Sequence, residues 1–160
     1  MLVKDFDYPF IWDYYVRQDI KFKYHFHIYR NPLECISSIA LTERRSEWFR
    51  EKFVNLFGNE FERAVLSLSG WNKIARSQMA MPIILERTKN LFGFNYTIEI
   101  QNQREHDQIS ERELQCLVSN DIWQIYLKEK EIYSQLNETL NDNCYSHIIE
   151  SVRLAGADIG

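Results

Sequence analysis

An alternating run that ends in Arg-Asn-Pro constrains this chain more than any other stretch. From 22 to 29 the sequence sets Phe22, Tyr24, Phe26 and Ile28 on one face and Lys23, His25, His27 and Tyr29 on the other, which is the period of a pleated strand. Aromatic residues at this spacing suit a half-buried sheet. The strand has to stop at Arg30-Asn31-Pro32, because proline has no N–H to give to a ladder and its fixed φ suits the first turn of a helix. Asn31 is the natural N-cap of that helix. Leu33, Ile36, Ile39 and Ala40 succeed it at helical spacing, so one face is expected to pack inward. Strand, turn and helix start together are expected to aim free backbone N–H groups and a helix dipole at whatever lies beside Arg30.

The whole chain sets the limits within which that unit works. Its 160 residues have the size of one domain, and 45% hydrophobic residues with 14% aromatics are enough for a core. A formal net charge of −4 argues against general nucleic-acid binding while leaving room for a local basic pocket. Cys35, Cys116 and Cys144 are odd in number and far apart, a pattern of neither a disulfide framework nor a zinc site, so reduced thiols and a cytoplasmic location are expected and no metal is. No apolar run reaches the roughly 18 residues of a membrane span. With no repeat and no Gly/Ser linker, 1–155 reads as a single folding unit or a piece of a larger one, and 156–160 as a frayed tail.

Along the chain, the nearly continuous apolar stretch at 8–19 reads as a buried helix feeding the strand. A helix over 43–57 is expected to place Phe49, Phe53, Leu56 and Phe57 on one face and to end at Gly58. Asn59-Glu60-Phe61-Glu62 has the pattern of a capping box. The helix behind it turns Phe61, Val65, Leu68 and either Ile74 or Ala75 inward, with a kink expected at Gly70. Met81-Pro82-Ile83-Ile84-Leu85-Glu86 reads as a short buried strand, and a helix between two strands predicts a parallel crossover. Tyr96, Ile98 and Ile100 alternate as in an edge strand, and 101–108 reads as a loop. A second capping box, Ser110 to Glu113, opens one long helix with Leu114, Leu117, Val118, Ile122, Ile125, Ile132 and Leu136 inward. Asn141 and Asp142 end it, and a short helix is expected near 145–154. On the long helix Lys128, Glu129, Lys130 and Glu131 read as exposed salt-bridge partners.

Chemistry concentrates at Arg30 and Ser38. Arginine is permanently charged and offers a planar fork to phosphate or sulfate, and a serine eight residues later can be folded back to the same anion. The plainer reading is an arginine that is solvated or paired with a carboxylate. His25 and His27 lie on the strand face read as polar, where hydrogen-bonded structural histidines outnumber proton relays. Neither is assigned a catalytic role. Arg44, Arg45 and Arg50 read as a solvated helix face, with an acidic acceptor's path as the sharper alternative.

Tyr29-Arg30-Asn31-Pro32 followed by Ser37-Ser38 resembles the 3′-phosphate-binding segment of the sulfotransferases that use 3′-phosphoadenosine 5′-phosphosulfate (PAPS). In that family a hydrophobic strand ends in Arg-Asn/Asp-Pro and a serine lies eight residues after the arginine. Trp71-Asn72-Lys73-Ile74-Ala75 resembles the family's helix before its next strand. Asn120-Asp121-Ile122 with Tyr126 resembles its late helix. The resemblance runs over roughly 8–136, and its specific part is the Arg30 segment. It implies an α/β fold: a partial P-loop-like parallel sheet of two to three strands, packed with several helices and helix-rich overall. It also implies PAPS as donor, Arg30 and Ser38 on the donor's 3′-phosphate, and transfer of a sulfuryl group to a hydroxyl or amine acceptor, a carbohydrate among them.

The chain departs from the family in three places. The family opens with a Gly-rich, lysine-bearing loop that holds the 5′-phosphosulfate; none of Gly58, Gly70, Gly93, Gly156 and Gly160 forms one. Its place would fall before Met1, so an N-terminally incomplete domain is expected. No residue is assigned as the catalytic base. Leu85-Glu86-Arg87 stands where the family carries a Tyr-Glu-Asp-like triplet. The chain alone is therefore expected to bind the donor weakly and to catalyse poorly. The competing reading is a non-catalytic α/β or helical interaction module, derived from a decayed sulfotransferase and paired with a partner chain or a second copy.

Overall fold

The computed structural model describes residues 26–42, 54–84 and 108–140, with isolated positions between 141 and 150. The expectations for 8–19, 22–25, 43–53, 85–100, 101–107 and most of 145–160 lie outside these residues. Within them the chain is helix-rich, with β1 (Phe26–Tyr29), α1 (Pro32–Thr42), α2 (Glu60–Ser77), β2 (Met81–Ile84), α3 (Glu111–Leu117) and α4 (Asn120–Thr139). The two strands pair in parallel, Phe26 against Met81 through Tyr29 against Ile84. The predicted crossover is thus present, and its return path contains α1 and α2. Pro82 stands opposite His27 within the pairing.

α2 is the element on which the others rest: it packs against α1, α3 and α4. Its buried residues Phe61, Ala64, Val65, Ser67, Trp71, Asn72 and Ala75 recur at the spacing of one helical stripe. Ala75 rather than Ile74 takes the buried place. From the other helices Ile36, Ala40, Leu114, Ile122 and Tyr126 complete the core, with Leu33, Ile39, Leu68 and Ile125 packed around it. Both capping boxes form. Asn59 Oδ1 accepts from the N–H groups of Phe61 and Glu62 while Glu62 accepts from Asn59 N. Ser110 and Glu113 do the same for α3.

Four expectations are corrected. The strand face read as polar is the buried one: His27 and Tyr29 are buried while Ile28 is 53% exposed. Gly70 does not kink α2, which runs through it unbroken. A Cβ there would come within 2.5 Å of a Val54 methyl, so the glycine admits a close neighbour and leaves the axis intact. Residues 55–57 are not helical, so Gly58, at φ +86, ends no helix; it turns the chain into the Asn59 cap.

The single long helix is in fact α3 and α4, separated at Val118-Ser119. Two bonds from the start of α2 hold the break open. Asn59 Nδ2 donates to Leu117 O at 2.7 Å, and Ser119 N donates to Glu62 Oε1 at 2.9 Å. These bonds supply partners to a helix end and a helix start that a continuous helix would not have exposed. Leu117, expected inward, is exposed as a result.

Candidate functional site

β1 ends at Tyr29, so Arg30 and Asn31 lie just past the carboxyl edge of the parallel pair, the side on which open α/β sheets bind ligands. Asn31 caps α1 as expected, its Oδ1 accepting from Leu33 N at 3.0 Å and Glu34 N at 3.4 Å. Cys35 N bonds to Asn31 O at 3.0 Å, and Pro32 has no N–H. The first turn of α1 therefore keeps its dipole but, contrary to expectation, offers an anion no unpaired N–H from Pro32 to Cys35: the residue that caps the helix consumes the donors a ligand would use.

Arg30 donates from Nε to Glu34 Oε2 at 3.1 Å, both side chains about two-fifths exposed. Glu34 is its one partner among the described residues. Arg30 stands two residues before α1 and is tied to Glu34, and Ser38 lies one turn beyond Glu34 on the helix, so the three form a row at intervals of four residues. Ser38 is half-buried. Its neighbour Ser37 is fully buried and structural, donating to Leu33 O at 2.8 Å and accepting from Ile109 N at 3.3 Å. The two serines thus divide the work: Ser37 ties the segment before α3 to α1, and Ser38 stays on the Arg30 row.

A second polar arrangement lies beneath the sheet, where local charge pattern points to solvent. Glu129, expected as an exposed partner of neighbouring lysines, is only 3% exposed. Its Oε1 accepts from Ser69 Oγ at 3.2 Å and Arg76 Nη2 at 3.1 Å; its Oε2 accepts from Asn72 Nδ2 at 2.8 Å and Arg76 Nη1 at 3.4 Å. Arg76 grips the carboxylate with both terminal nitrogens, the strongest geometry open to such a pair. Burial holds the nearby Tyr29 hydroxyl above its usual 10.0, although Arg76 favours its ionisation. Asn72 continues the chain, with its Oδ1 2.7 Å from His27 Nε2. The signal for Glu129 was its phase: it follows Ile122 and Tyr126 on the buried stripe of α4, and Asn72 and Arg76 share a face of α2 one turn apart.

This network fixes protons as well as positions. Because Asn72 donates its amide N–H to Glu129, its oxygen faces His27, and His27 must carry its proton on Nε2 to be the donor. Burial holds the imidazole below its usual 6.5; the Asn72 bond opposes that, Arg76 adds to it and Glu129 opposes it. With each oxygen of Glu129 accepting twice, the arrangement can clamp β1 to α2 and α4, but it presents no group for transfer. His27 is thus the hydrogen-bonded structural residue that its strand position favours.

Stability inherits a pH dependence from this histidine. The unfolded chain takes up a proton at His27 near 6.5, the folded protein only lower, so stability falls as pH drops from about 6.5. Glu62, Glu111 and Glu113 are each held below 4.5 by hydrogen bonds, so their stabilisation is lost only at more acid pH. Thermal melting at about pH 7.5 and 5.5 is expected to show a larger drop for the native chain than for His27→Gln, whose amide still donates to Asn72. Equal drops would remove His27 from this account.

Trp71 to Ala75 lie on the helix that precedes β2, and Asn120, Ile122 and Tyr126 on α4. His25, His106, His147, Arg44, Arg45, Arg50 and the Leu85-Glu86-Arg87 run are outside the described residues. Among the described residues no three His, Cys, Asp or Glu side chains converge as a metal site, and no helix is long and apolar enough to cross a membrane. Comparison with protein-family models, with curated proteins and with solved structures gives no match.

Proposed function

We propose that this chain supplies the 3′-phosphate side of a PAPS site in a sulfotransferase-like domain, with Arg30 and Ser38 as the residues that meet the phosphate. The observation that carries the reading is the unit itself: a strand paired in parallel, an arginine just past its carboxyl end, and a capped helix that sets Ser38 two turns along the arginine's row. The terminal nitrogens of Arg30 form a fork suited to a phosphate monoester, and the α1 dipole favours negative charge there. The parallel sheet belongs, on this reading, to a P-loop-like fold. Chemistry at the sulfuryl group would be in-line transfer governed by positioning and charge stabilisation, and Arg30 and Ser38 serve positioning alone.

Titration calorimetry with 3′,5′-ADP tests the assignment. The native chain is expected to bind weakly, and Arg30→Ala to lose about tenfold or more, since hydrogen bonds to charged groups are worth about 1.5–3 kcal/mol. Ser38→Ala is expected to lose less. Native-like affinity in Arg30→Ala sinks the proposal and leaves the non-catalytic module as the better reading.

A further inference from the structure

We infer that Glu34 is an intramolecular competitor for the Arg30 guanidinium, an acid that holds the arginine in the absence of ligand and weakens every anion that binds there. The inference rests on the phosphate reading of the Arg30 row and adds to it a residue that sets affinity. Three observations carry it. Glu34 bonds the guanidinium directly, reaching back from the first turn of α1 to the arginine that precedes the helix. It lies between Arg30 and Ser38 on that row, where an anion spanning the two would sit against its carboxylate. The backbone donors that would offset this repulsion, the N–H groups of Leu33 and Glu34, are already held by Asn31.

Two effects of opposite sign compete at Glu34. By occupying Nε it restrains the guanidinium and leaves the two terminal nitrogens to a bound phosphate, which aids binding. By its charge it repels a phosphate dianion and must be outweighed or displaced. At this exposure, orientation of a long side chain by one ion pair is worth little. Repulsion between a dianion and a carboxylate one helical turn away is the larger effect, because it scales with the ligand's charge. Glu34 therefore lowers affinity and hastens release.

Glu34→Gln separates the two effects, since its amide oxygen can still accept from Arg30 Nε while the charge is gone. Calorimetry with 3′,5′-ADP and, separately, inorganic phosphate is expected to show Glu34→Gln binding about threefold to tenfold tighter than the native chain. Glu34→Ala should also bind tighter, and Arg30→Ala/Glu34→Gln should lose the gain. Thermal melting verifies that each variant is folded. Unchanged or weaker binding by Glu34→Gln, with Arg30-dependent binding intact in the native chain, overturns the competitor role and leaves the phosphate site standing. A gain for inorganic phosphate that 3′,5′-ADP does not exceed supports the competitor and removes the nucleotide reading. Absence of Arg30-dependent binding in every variant overturns both.

Discussion

Arg76→Met is expected to lower the unfolding free energy by about 3–5 kcal/mol, because it strands the Glu129 carboxylate without its cation in the interior. Glu129 keeps only Ser69 and Asn72 as donors in that variant. The converse change, Glu129→Met, is expected to cost less. Arg76 is 36% exposed and its guanidinium can turn to water, leaving the Asn72 amide as the main orphan at about 1–3 kcal/mol. The order of the two variants is the informative result, measurable by urea unfolding with a common slope. If Glu129→Met proves the more damaging, the pair is not held together by the burial of the acid.

Tyr126→Ala is expected to cost a similar amount, about 3–5 kcal/mol, for a different reason: it opens a cavity where α4 meets α2. Tyr126 is 1% exposed and belongs to the same cluster as Ile36, Val65 and Leu114. Its hydroxyl donates to Glu111 Oε1 at 2.7 Å; burial and that bond push its ionisation well above the usual 10.0, so it remains a donor. Tyr126→Phe removes only that bond and is expected to cost about 1 kcal/mol, since Glu111 is partly exposed and retains Lys130. Unfolding midpoints of the two variants separate ring from hydroxyl. A Phe variant as weak as the Ala variant would mean that the hydrogen bond, and not the packing, anchors α4.

What is legible in the chain is whatever local chemistry decides. Asn31-Pro32, Asn59 with Glu62, and Ser110 with Glu113 each act within four residues, and each forms as expected. The parallel crossover is implied by element order alone. Glu129, His27 and Gly70 differ from expectation for another reason: their deciding partners are far away in sequence. Glu129 stands among lysines and glutamates, and only Asn72 and Arg76, more than fifty residues earlier, make its burial tolerable. The inward turn of His27 needs Asn72, forty-five residues on. Gly70 has the character of a helix breaker until Val54 is set against it. At the candidate site, Arg30 and Ser38 can be named from spacing, whereas the consumption of α1's donors by Asn31 requires the geometry of the cap.

The Glu62 carboxylate accepts from Asn59 N and from Ser119 N, 57 residues on, so one side chain completes the start of two helices. Folding is thereby made less divisible. α2 can nucleate with its own box, but the first turn of α4, whose Ser119 side chain makes no cap bond, waits for the chain between them to close. Loss of native order at either end removes a hydrogen-bond partner from the other, so the two helix starts are coupled through a pairing 57 residues apart rather than through neighbouring turns.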